Sequence, residues 1–299
     1  MRKILLLALA SCLFYSCSNG SDDSVTEQPQ PEDHGTVVGI KTRANDITMP
    51  VGGLRAGLYM VNYLDGQPDK LLAQANYVNN QLQVYVDGAW TSEHPIYWND
   101  MDTPADFYAY APYQETVVNA RQIPFGVAAD QRSDEAFLQS DFLWGTVRGQ
   151  RPDDGEFSLM LSHALSRLTV VIVADTGFEQ NELQATDVSV TIGGSRTSCT
   201  VDLADGSATP NGTAGNVMCH NNGDLSFTAV LVPQDIPFSN LIQVNWKGNP
   251  YTLQNSFRLE PRRQYSLTVK LKKSKNGFDI GIAGWDIVEE DFGGSIGGN

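Results

Sequence analysis

The sequence has few of the residues that carry catalysis or hold metal ions. Its 299 residues include four histidines, and no two of them have the four-residue spacing of a metalloprotease zinc site. It contains no phosphate-binding loop and no dinucleotide fingerprint. His163 stands among apolar residues, which favours a buried and hydrogen-bonded core histidine. The sequence therefore predicts that the protein is not an enzyme and binds no metal ion and no cofactor.

Positive charge is scarce as well. Lys and Arg total 20 against 35 for Asp and Glu, and the formal net charge is -15. A nucleic-acid partner needs clustered basic side chains to neutralise its phosphates, so this balance excludes one. We expect the acidic residues to keep the surface soluble. An acidic face that selects a partner or binds cations weakly is the alternative.

The leading apolar run is too short to span a membrane. It covers residues 4–15, after a basic pair at residues 2–3, whereas a spanning helix needs roughly 20 apolar residues. The run leads into Cys17. This is the layout of a lipoprotein signal peptide at residues 1–16, after which the cysteine is lipidated and becomes the mature N-terminus. Cys12 is a weaker alternative because it would leave a very short apolar region.

Apolar side chains are almost absent from residues 17–35. This stretch is rich in Asp, Glu, Pro and Ser, and it is predicted to be a disordered acidic tether. The acidic residues that follow the cysteine resemble the surface-export signal of Bacteroidetes lipoproteins. That resemblance implies a protein held by its lipid in the outer membrane and displayed on the cell surface.

Beyond the signal region only two cysteines remain, Cys199 and Cys219. They flank residues 200–218, a stretch whose pattern indicates a strand, a Gly- and Asn-rich loop and a second strand. A cell-surface location permits a disulfide across the base of that loop. Two buried free thiols are the alternative, and the sequence does not decide between them.

What the sequence does contain is a series of short β-type segments separated by turn signals. They lie roughly eight to fifteen residues apart, and no helical period persists. Leu82, Val84 and Val86 share one face of such a segment. The pattern predicts an all-β protein with two β-sandwich domains, an N-terminal one at 36–150 and a C-terminal one at 151–299 that ends in a Gly-rich tail.

Aromatic residues gather in the N-terminal domain. The strand-like segment 106–113 carries apolar or aromatic residues on both faces, so we expect it to be covered on both sides. Strand aromatics are usually core residues or cross-strand pairs. The alternative is an exposed platform that binds a glycan or a host surface. Its candidate contacts are Trp90, Trp98, Tyr108 and Tyr110.

Five motifs carry a family resemblance. In chain order they are Asp106–Tyr113 (DFYAYAPY), Ser140–Trp144 (SDFLW), Ser162–Leu168 (SHALSRL), Leu231–Gln234 (LVPQ) and Phe257–Leu267 (FRLEPRRQYSL). On a lipoprotein, this ordered set resembles the Bacteroidetes fimbrillins of the fimbrillin-like (Mfa-like) group, from about residue 36 to the end of the chain. The second and third motifs lie in residues 141–173 or at their border, a stretch that we interpret as the join between two β-rich halves.

The resemblance implies two tandem transthyretin-like β-sandwiches and a structural role in a surface pilus, with other pilin subunits as partners. In such proteins an arginine-specific protease cuts after the first β segment, and a strand from another subunit fills the groove that opens. Residues 36–42, followed by Arg43 and Ala44, resemble that segment and its cut site. The bond between Arg55 and Ala56, in a Gly-rich loop that we also expect to be accessible, is the second candidate. An uncut Arg43 on the surface is the remaining alternative.

The resemblance places the donor strand near the C-terminus. Phe278, Ile280 and Ile282 alternate there, and Trp285 follows them. In an isolated subunit the same segment can instead fold back on its own domain. The sequence leaves open whether the chain is a stalk, anchor or tip subunit. It also leaves the alternative of a lipid-anchored surface binding module, such as a tip adhesin, with a host or glycan receptor.

Overall fold

The chain is built almost entirely from β-strands, as predicted. A computed structural model describes residues 36–41, 53–86, 89–179, 181–273 and 280–291, the last of these as backbone only. In chain order the elements are β1 (Ile40–Lys41), β2 (Arg55–Asn62), β3 (Val78–Val86), β4 (Ala89–Thr91), β5 (Ala105–Ala111), β6 (Ile123–Gly126), α1 (Asp134–Gln139), β7 (Leu143–Gln150), β8 (Phe157–Ser158), β9 (Ser162–His163), β10 (Ser166–Ala174), β11 (Val188–Asp202), β12 (Ser207–Met218), β13 (His220–Gly223), β14 (Ser226–Leu231), β15 (Gln234–Trp246), β16 (Asn249–Leu259), β17 (Arg263–Lys273) and β18 (Ile280–Asp291).

The first sheet has six strands in the order β4-β3-β2-β5-β7-β9, all paired antiparallel. Its inner strand β5 is buried at every residue. Phe107 and Ala109 enter an apolar cluster on one face of the sheet, whereas Tyr108 and Tyr110 enter a different cluster on the other. The prediction of a strand covered on both sides is confirmed.

The second half of the chain forms a β-sandwich. One of its sheets has the order β13-β14-β10-β17-β18, and the other contains β12-β11-β15-β16. Val190 and Val244 lie in the sheet that contains β11 and β15. They share one apolar cluster with Leu168 and Leu267 of the sheet that contains β10 and β17. Alternation in these strands turns every second side chain toward this cluster, which is how two facing sheets build a core.

The chain passes between the two halves more than once. After β5 it leaves the first sheet, and β6 pairs with β11 of the second half, with Ile123 opposite Val201. The chain then returns to the first sheet as β7. A third apolar cluster fills the join and draws on both halves, for example through Tyr110, Leu165 and Val230. All described residues belong to one compact unit, and the domain boundary after residue 150 stays a prediction.

Trp144 and Arg262 connect the two halves. The Trp144 indole Nε1 donates a hydrogen bond to the carbonyl of Leu203 at 2.7 Å. The Arg262 guanidinium lies over the Trp144 ring, 4.9 Å from its centroid, and the Arg262 amide donates to the carbonyl of Leu165. A Cβ at Gly206 would lie 2.5 Å from the same ring, and the φ of Gly206 is +72°, so glycine is required there. Three of the family motifs therefore meet at this join.

Cys199 and Cys219 are free, buried thiols, which is the second of the two sequence alternatives. The Cys219 amide donates to the carbonyl of Val190 in β11, and Cys199 lies nine residues further along that strand. Nine strand residues span roughly 30 Å, whereas a disulfide needs Cα atoms within about 7 Å. The disulfide alternative is excluded because the turn lies at residues 203–206, close to Cys199, and the Gly- and Asn-rich stretch belongs to β12.

Candidate assembly site

The first described residues, 36–41, form a short segment that we call the leading segment. The Val38 amide donates a hydrogen bond to the carbonyl of Ile96 at 2.8 Å, and the Trp98 amide donates to the carbonyl of Thr36 at 3.1 Å. These bonds run in both directions between the two backbones. The first part of the leading segment therefore pairs as a β-strand would, and among the described residues this pairing is isolated from the larger sheets.

The second part of the leading segment pairs with a different stretch. β1 lies parallel to β8, with Ile40 opposite Phe157, and the Phe157 amide donates to the carbonyl of Gly39 at 3.1 Å. A Cβ at Gly39 would lie 2.6 Å from Cγ of Glu156, so glycine permits this close approach. The leading segment thus satisfies the backbone groups of two separate stretches of chain.

Two side chains of the leading segment pack against the first sheet. Val38 is 8% exposed and belongs to the apolar cluster that contains Trp98 and Phe157, and half-buried Ile40 packs against the same cluster. Val37 is 54% exposed. The segment therefore covers the core with Val38 and Ile40, while the side chain of Val37 faces outward.

Below Ile40 lies a narrow apolar cavity of about 10 Å³, which we call the slot. Its wall is formed by Ile40, Ala56, Leu58, Gln83, Trp90, Ala109, Leu159 and Leu161. The leading segment contributes one of these residues, and strands β2 to β5 contribute five others. Removing the leading segment would therefore open the slot and uncover the hydrocarbon surface beneath it.

Gln83 is the one wall residue of the slot with an amide side chain. It stands on β3 opposite Ala56 of β2 and is 7% exposed. Its Nε2 has no hydrogen-bond partner among the described residues. A buried donor without an acceptor is unusual in folded proteins. The accessible lining of the slot is nevertheless apolar throughout, so Gln83 contributes hydrocarbon to it.

Sequence reasoning did not identify Gln83, because it singled out the opposite face of β3. Leu82 and Val84 are only half-buried, and Val86 is 43% exposed, whereas Gln83 and Tyr85 are buried. The alternation was read correctly, but it does not say which face is covered. The cluster on the Leu82 side draws on β2 and β5 and, within the described residues, takes nothing from β3.

The predicted processing and donor residues fall into two groups. Four lie outside the described residues: Cys17, Arg43, Ala44 and Phe278. Ile280, Ile282 and Trp285 lie in β18, whose backbone pairs antiparallel with β17 and places Trp285 opposite Val269. β18 forms one end of its sheet. In this single chain the C-terminal segment thus folds back on its own sandwich, as the sequence allowed.

The second candidate cut site does not lie in an accessible loop. Arg55 and Ala56 are the first two residues of β2, where they pair with Val84 and Gln83 of β3. The carbonyl of Arg55 also accepts a hydrogen bond from the Tyr113 amide at 2.9 Å. A protease binds its substrate as an extended, accessible segment, which this paired strand is not. The expectation that the Arg55–Ala56 bond is accessible was therefore wrong.

The aromatic residues proposed as a binding platform are mostly core residues. Trp98, Tyr108 and Tyr110 are buried. The hydroxyl of Tyr110 donates to Oδ1 of Asn80 at 2.8 Å. Trp90 is half-buried and packs edge-on against Tyr85, with 5.3 Å between ring centroids. The exposed platform was therefore wrong, and the alternative of core and cross-strand aromatics is confirmed.

His163 is buried and paired, as expected. Its Nδ1 lies 2.6 Å from Oδ2 of Asp141, which is also buried. Asp141 lies two residues before Leu143, the first residue of β7, and His163 lies in the neighbouring β9. The contact connects two of the family motifs across adjacent strands, so it serves to hold them together.

Fold and slot define an all-β protein whose distinctive site is an apolar cavity closed by a short, separately paired segment. No residue in the wall of the slot is titratable, so the site suits the binding of a β segment. Among the described residues, no group of three His, Cys, Asp or Glu side chains could hold a metal ion. The same residues include no helix with the length and apolar character needed to cross a membrane.

Comparison with protein families matches residues 42–285 to the fimbrillin-like family. The match covers well over half of the chain, and the chain belongs to this family. The resemblance seen in the five sequence motifs is thereby confirmed. Because the family is one of structural subunits, the prediction that the protein is not an enzyme is confirmed as well. Comparison with curated proteins found no match.

Solved structures from Bacteroides share the fold. A Bacteroides uniformis protein named for a proposed role in cell adhesion has 21% identity and a TM-score of 0.65, over 88% of this chain and 100% of its own. A Bacteroides ovatus protein with the same description has 19% identity and a TM-score of 0.56, over 84% and 95%. A fimbrial protein from Bacteroides vulgatus has 10% identity and a TM-score of 0.53, over 87% and 100%.

Proposed function

We propose that the protein is a structural subunit of a cell-surface fimbria, exported as a lipoprotein through Cys17 and joined to other subunits by strand donation. Membership of the fimbrillin-like family supports the fimbrial role. The fold shared with a fimbrial protein from Bacteroides vulgatus agrees with it. The main support for strand donation is that the leading segment closes an apolar slot and pairs with two separate stretches of chain.

Loss of the leading segment would leave a site that favours a new β-strand. The amides of Trp98 and Phe157 and the carbonyl of Ile96 would each lose a hydrogen-bond partner. A buried backbone group without a partner costs about 1–3 kcal/mol. The apolar surface under Val38 and Ile40 would also meet water. A strand from another subunit restores both kinds of contact, which is the principle of β-augmentation.

The position of Arg43 suits this proposal. Lys41 is the last residue of β1, and Arg43 follows it by two positions. A cut between Arg43 and Ala44 would therefore separate the whole leading segment from the sandwich that it covers. The donated strand would come from the C-terminal segment of a second subunit, where Ile280 and Ile282 alternate with glycine and alanine.

The test compares native cells that produce Arg43→Lys with cells that produce Arg258→Lys. Lysine removes an arginine-specific cut while keeping the charge, and Arg258 is a matched control because its side chain is 73% exposed on β16. We expect wild type and Arg258→Lys to begin at Ala44 by mass spectrometry and to form SDS-resistant ladders. Arg43→Lys is expected to begin at Cys17 and to remain monomeric. Ladders from Arg43→Lys equal to wild type would contradict the cleavage step.

A further inference from the structure

Glu156 favours glycine at one position of the leading segment. Ile40 lies opposite Phe157 in the parallel pair of β1 and β8, so Gly39 and Glu156 are neighbours one position earlier. A Cβ at Gly39 would lie 2.6 Å from Cγ of Glu156 and 3.4 Å from its Cβ. Turning Cγ away relieves only the first of these contacts. An occupant of the site therefore needs a residue without a side chain between the two aliphatic residues that pack on the core.

The same pattern occurs a second time in the sequence. Residues 38–40 read Val-Gly-Ile, and residues 280–282 read Ile-Gly-Ile. The chain has 27 glycines, and Gly39 and Gly281 are the two that have a valine or isoleucine on both sides. The second copy of the pattern belongs to β18, the strand next to the C-terminus. The C-terminal segment thus contains the combination that the site requires.

The pairing of β18 in its own chain does not explain the glycine at residue 281. Gly281 lies opposite Lys272 of β17, and Lys272 is exposed. Opposite residues of an antiparallel pair share one face of the sheet, so this register position is on the solvent side, where a larger residue fits. Glycine weakens the interior of a strand, and it often marks a close approach of another backbone. A second environment that excludes a Cβ at residue 281 accounts for this glycine.

We propose that residues 280–282 of a second copy of this chain replace residues 38–40 of the leading segment, with Gly281 beside Glu156. The two isoleucines of the donor then pack on the core in place of the two aliphatic side chains of the leading segment. In β-augmentation the main chain provides affinity and the side chains provide specificity. Glu156 is here the specificity-determining residue, because it fixes the register in which a donor strand fits. The inference rests on the proposed function and adds the register to it.

The donor strand runs in the same direction as the leading segment. In that direction it keeps the antiparallel pairing near Trp98 and the parallel pairing with β8, so the amides of Trp98 and Phe157 regain acceptors where they had them. A reversed strand would exchange the two kinds of pairing, whose hydrogen bonds fall at different places. The same direction also puts Asp279 at the position of Val37, which is 54% exposed and suits a carboxylate.

The test compares the fraction of subunits in SDS-resistant ladders from native cells that produce Gly281→Ala or Gly284→Ala. Gly284 is a matched control, because it lies in the same strand opposite Lys270, which is exposed as Lys272 is. Alanine at either position acts alike on the pairing of β18 with β17, but the proposed register puts only residue 281 beside Glu156. We expect Gly281→Ala to lower the fraction about tenfold, and Gly284→Ala to stay within about twofold of wild type.

Removal of the Glu156 side chain is expected to rescue the first variant. Glu156→Ala removes Cγ, the atom that would lie 2.6 Å from the added methyl group. In the Glu156→Ala background, Gly281→Ala should form ladders within about twofold of Glu156→Ala alone. Failure of this rescue overturns the role of Glu156. Normal ladders from Gly281→Ala with wild-type Glu156 overturn the register as well.

A disulfide between subunits checks the register even if Glu156→Ala prevents folding. Val37 lies opposite Tyr97 in an antiparallel bridge, so the proposed register puts Asp279 of the donor opposite Tyr97 of the acceptor. Such pairs have Cα atoms about 4.5–5.5 Å apart, which is within disulfide range. Cells produce one chain with Tyr97→Cys and a second with Asp279→Cys, or with Asp286→Cys as the control. After mild oxidation we expect a reducible cross-link from Asp279→Cys and none from Asp286→Cys.

These outcomes separate the register from the proposed function. Normal ladders without the cross-link overturn the register and leave strand donation standing. Absence of ladders from wild-type cells overturns the proposed function, and the register falls with it.

Discussion

The side chain of Gln234 makes the hydrogen bonds of a β-strand with the backbone of Arg196. Its Oε1 accepts from the Arg196 amide at 2.8 Å, and its Nε2 donates to the Arg196 carbonyl at 2.9 Å. Arg196 lies where β11 changes partners, because pairing with β15 ends at Ile192 and pairing with β6 begins at Ser198. The Gln234 side chain therefore supplies hydrogen bonds to β11 in the interval between its pairing with β15 and its pairing with β6.

Gln234→Leu is expected to lower the free energy of unfolding by about 2–4 kcal/mol. The substitution removes partners from both the N–H and the C=O of Arg196, and each partly buried group left unpaired costs about 1–3 kcal/mol. Urea unfolding followed by circular dichroism measures the change. Gln254→Leu is the control, because Gln254 is exposed on β16. Equal losses from the two substitutions would show that the bridge contributes nothing.

Val38→Thr is expected to release the leading segment. Threonine keeps the shape of valine but buries a hydroxyl in the cluster under the segment, so the Trp98 and Phe157 amides should exchange about tenfold faster. Hydrogen exchange followed by mass spectrometry provides the measurement. Val37→Thr is the matched control, because Val37 is 54% exposed, and it should leave both rates within about twofold. Similar acceleration by both variants would mean that burial of Val38 does not hold the segment.

Trp144→Phe is expected to destabilise the protein by about 1–3 kcal/mol. It removes the donor to the Leu203 carbonyl and weakens the contact between the ring and Arg262. Thermal and urea unfolding measure the loss. Trp90→Phe is a suitable control, because the Trp90 indole makes no hydrogen bond to a described residue. If the control proves as damaging as Trp144→Phe, the indole bond is not what stabilises the join.

The two thiols are expected to be inert in the native protein. Burial raises the pKa of Cys199 to about 12 and also raises the pKa of Cys219, whereas an exposed thiol has a pKa of about 8.5. Iodoacetamide at pH 8 should label neither residue until urea is added, because the thiolate is the reactive form. Peptide mapping identifies the labelled sites. Rapid labelling of Cys219 in the folded protein would contradict its burial.

The same pKa shifts predict how stability depends on pH. Above about pH 8.5 the thiols of the unfolded chain lose their protons, while the native thiols keep theirs until a much higher pH. The native state therefore loses stability as the pH rises from about 8.5 toward 12. Urea midpoints for wild type and Cys199→Ala over this range test the sign, and the variant should show the shallower decline.

Much of the fold could be predicted because alternation reports strands directly. The segment around Phe107 and Tyr108 is apolar on both faces, and β5 is indeed covered on both sides. His163 stands among apolar residues in the sequence and is buried against Asp141. In these cases the apolar local sequence matches a buried tertiary environment, so the sequence pattern alone predicts the burial.

The remaining features depend on contacts between distant residues. Gly57 suggested a loop near Arg55, but it lies inside β2, where a Cβ would come 2.3 Å from the ring of Tyr110. That glycine permits a close approach rather than a turn. The burial of Gln83 likewise depends on which face of β3 is covered, and Cys199 is separated from Cys219 by the position of a hairpin turn. A single sequence does not record these relationships.

The path of the chain through β6 has a mechanical consequence. Between β5 and β7 the backbone leaves the first sheet, joins β11 through residues 123–126, and returns. A pulling force that separated the halves would have to rupture this four-residue ladder and strip the shared cluster around Tyr110 and Leu165. Under tension along a filament, the described part of the subunit would therefore bear load as one rigid body, and its two halves would not move independently.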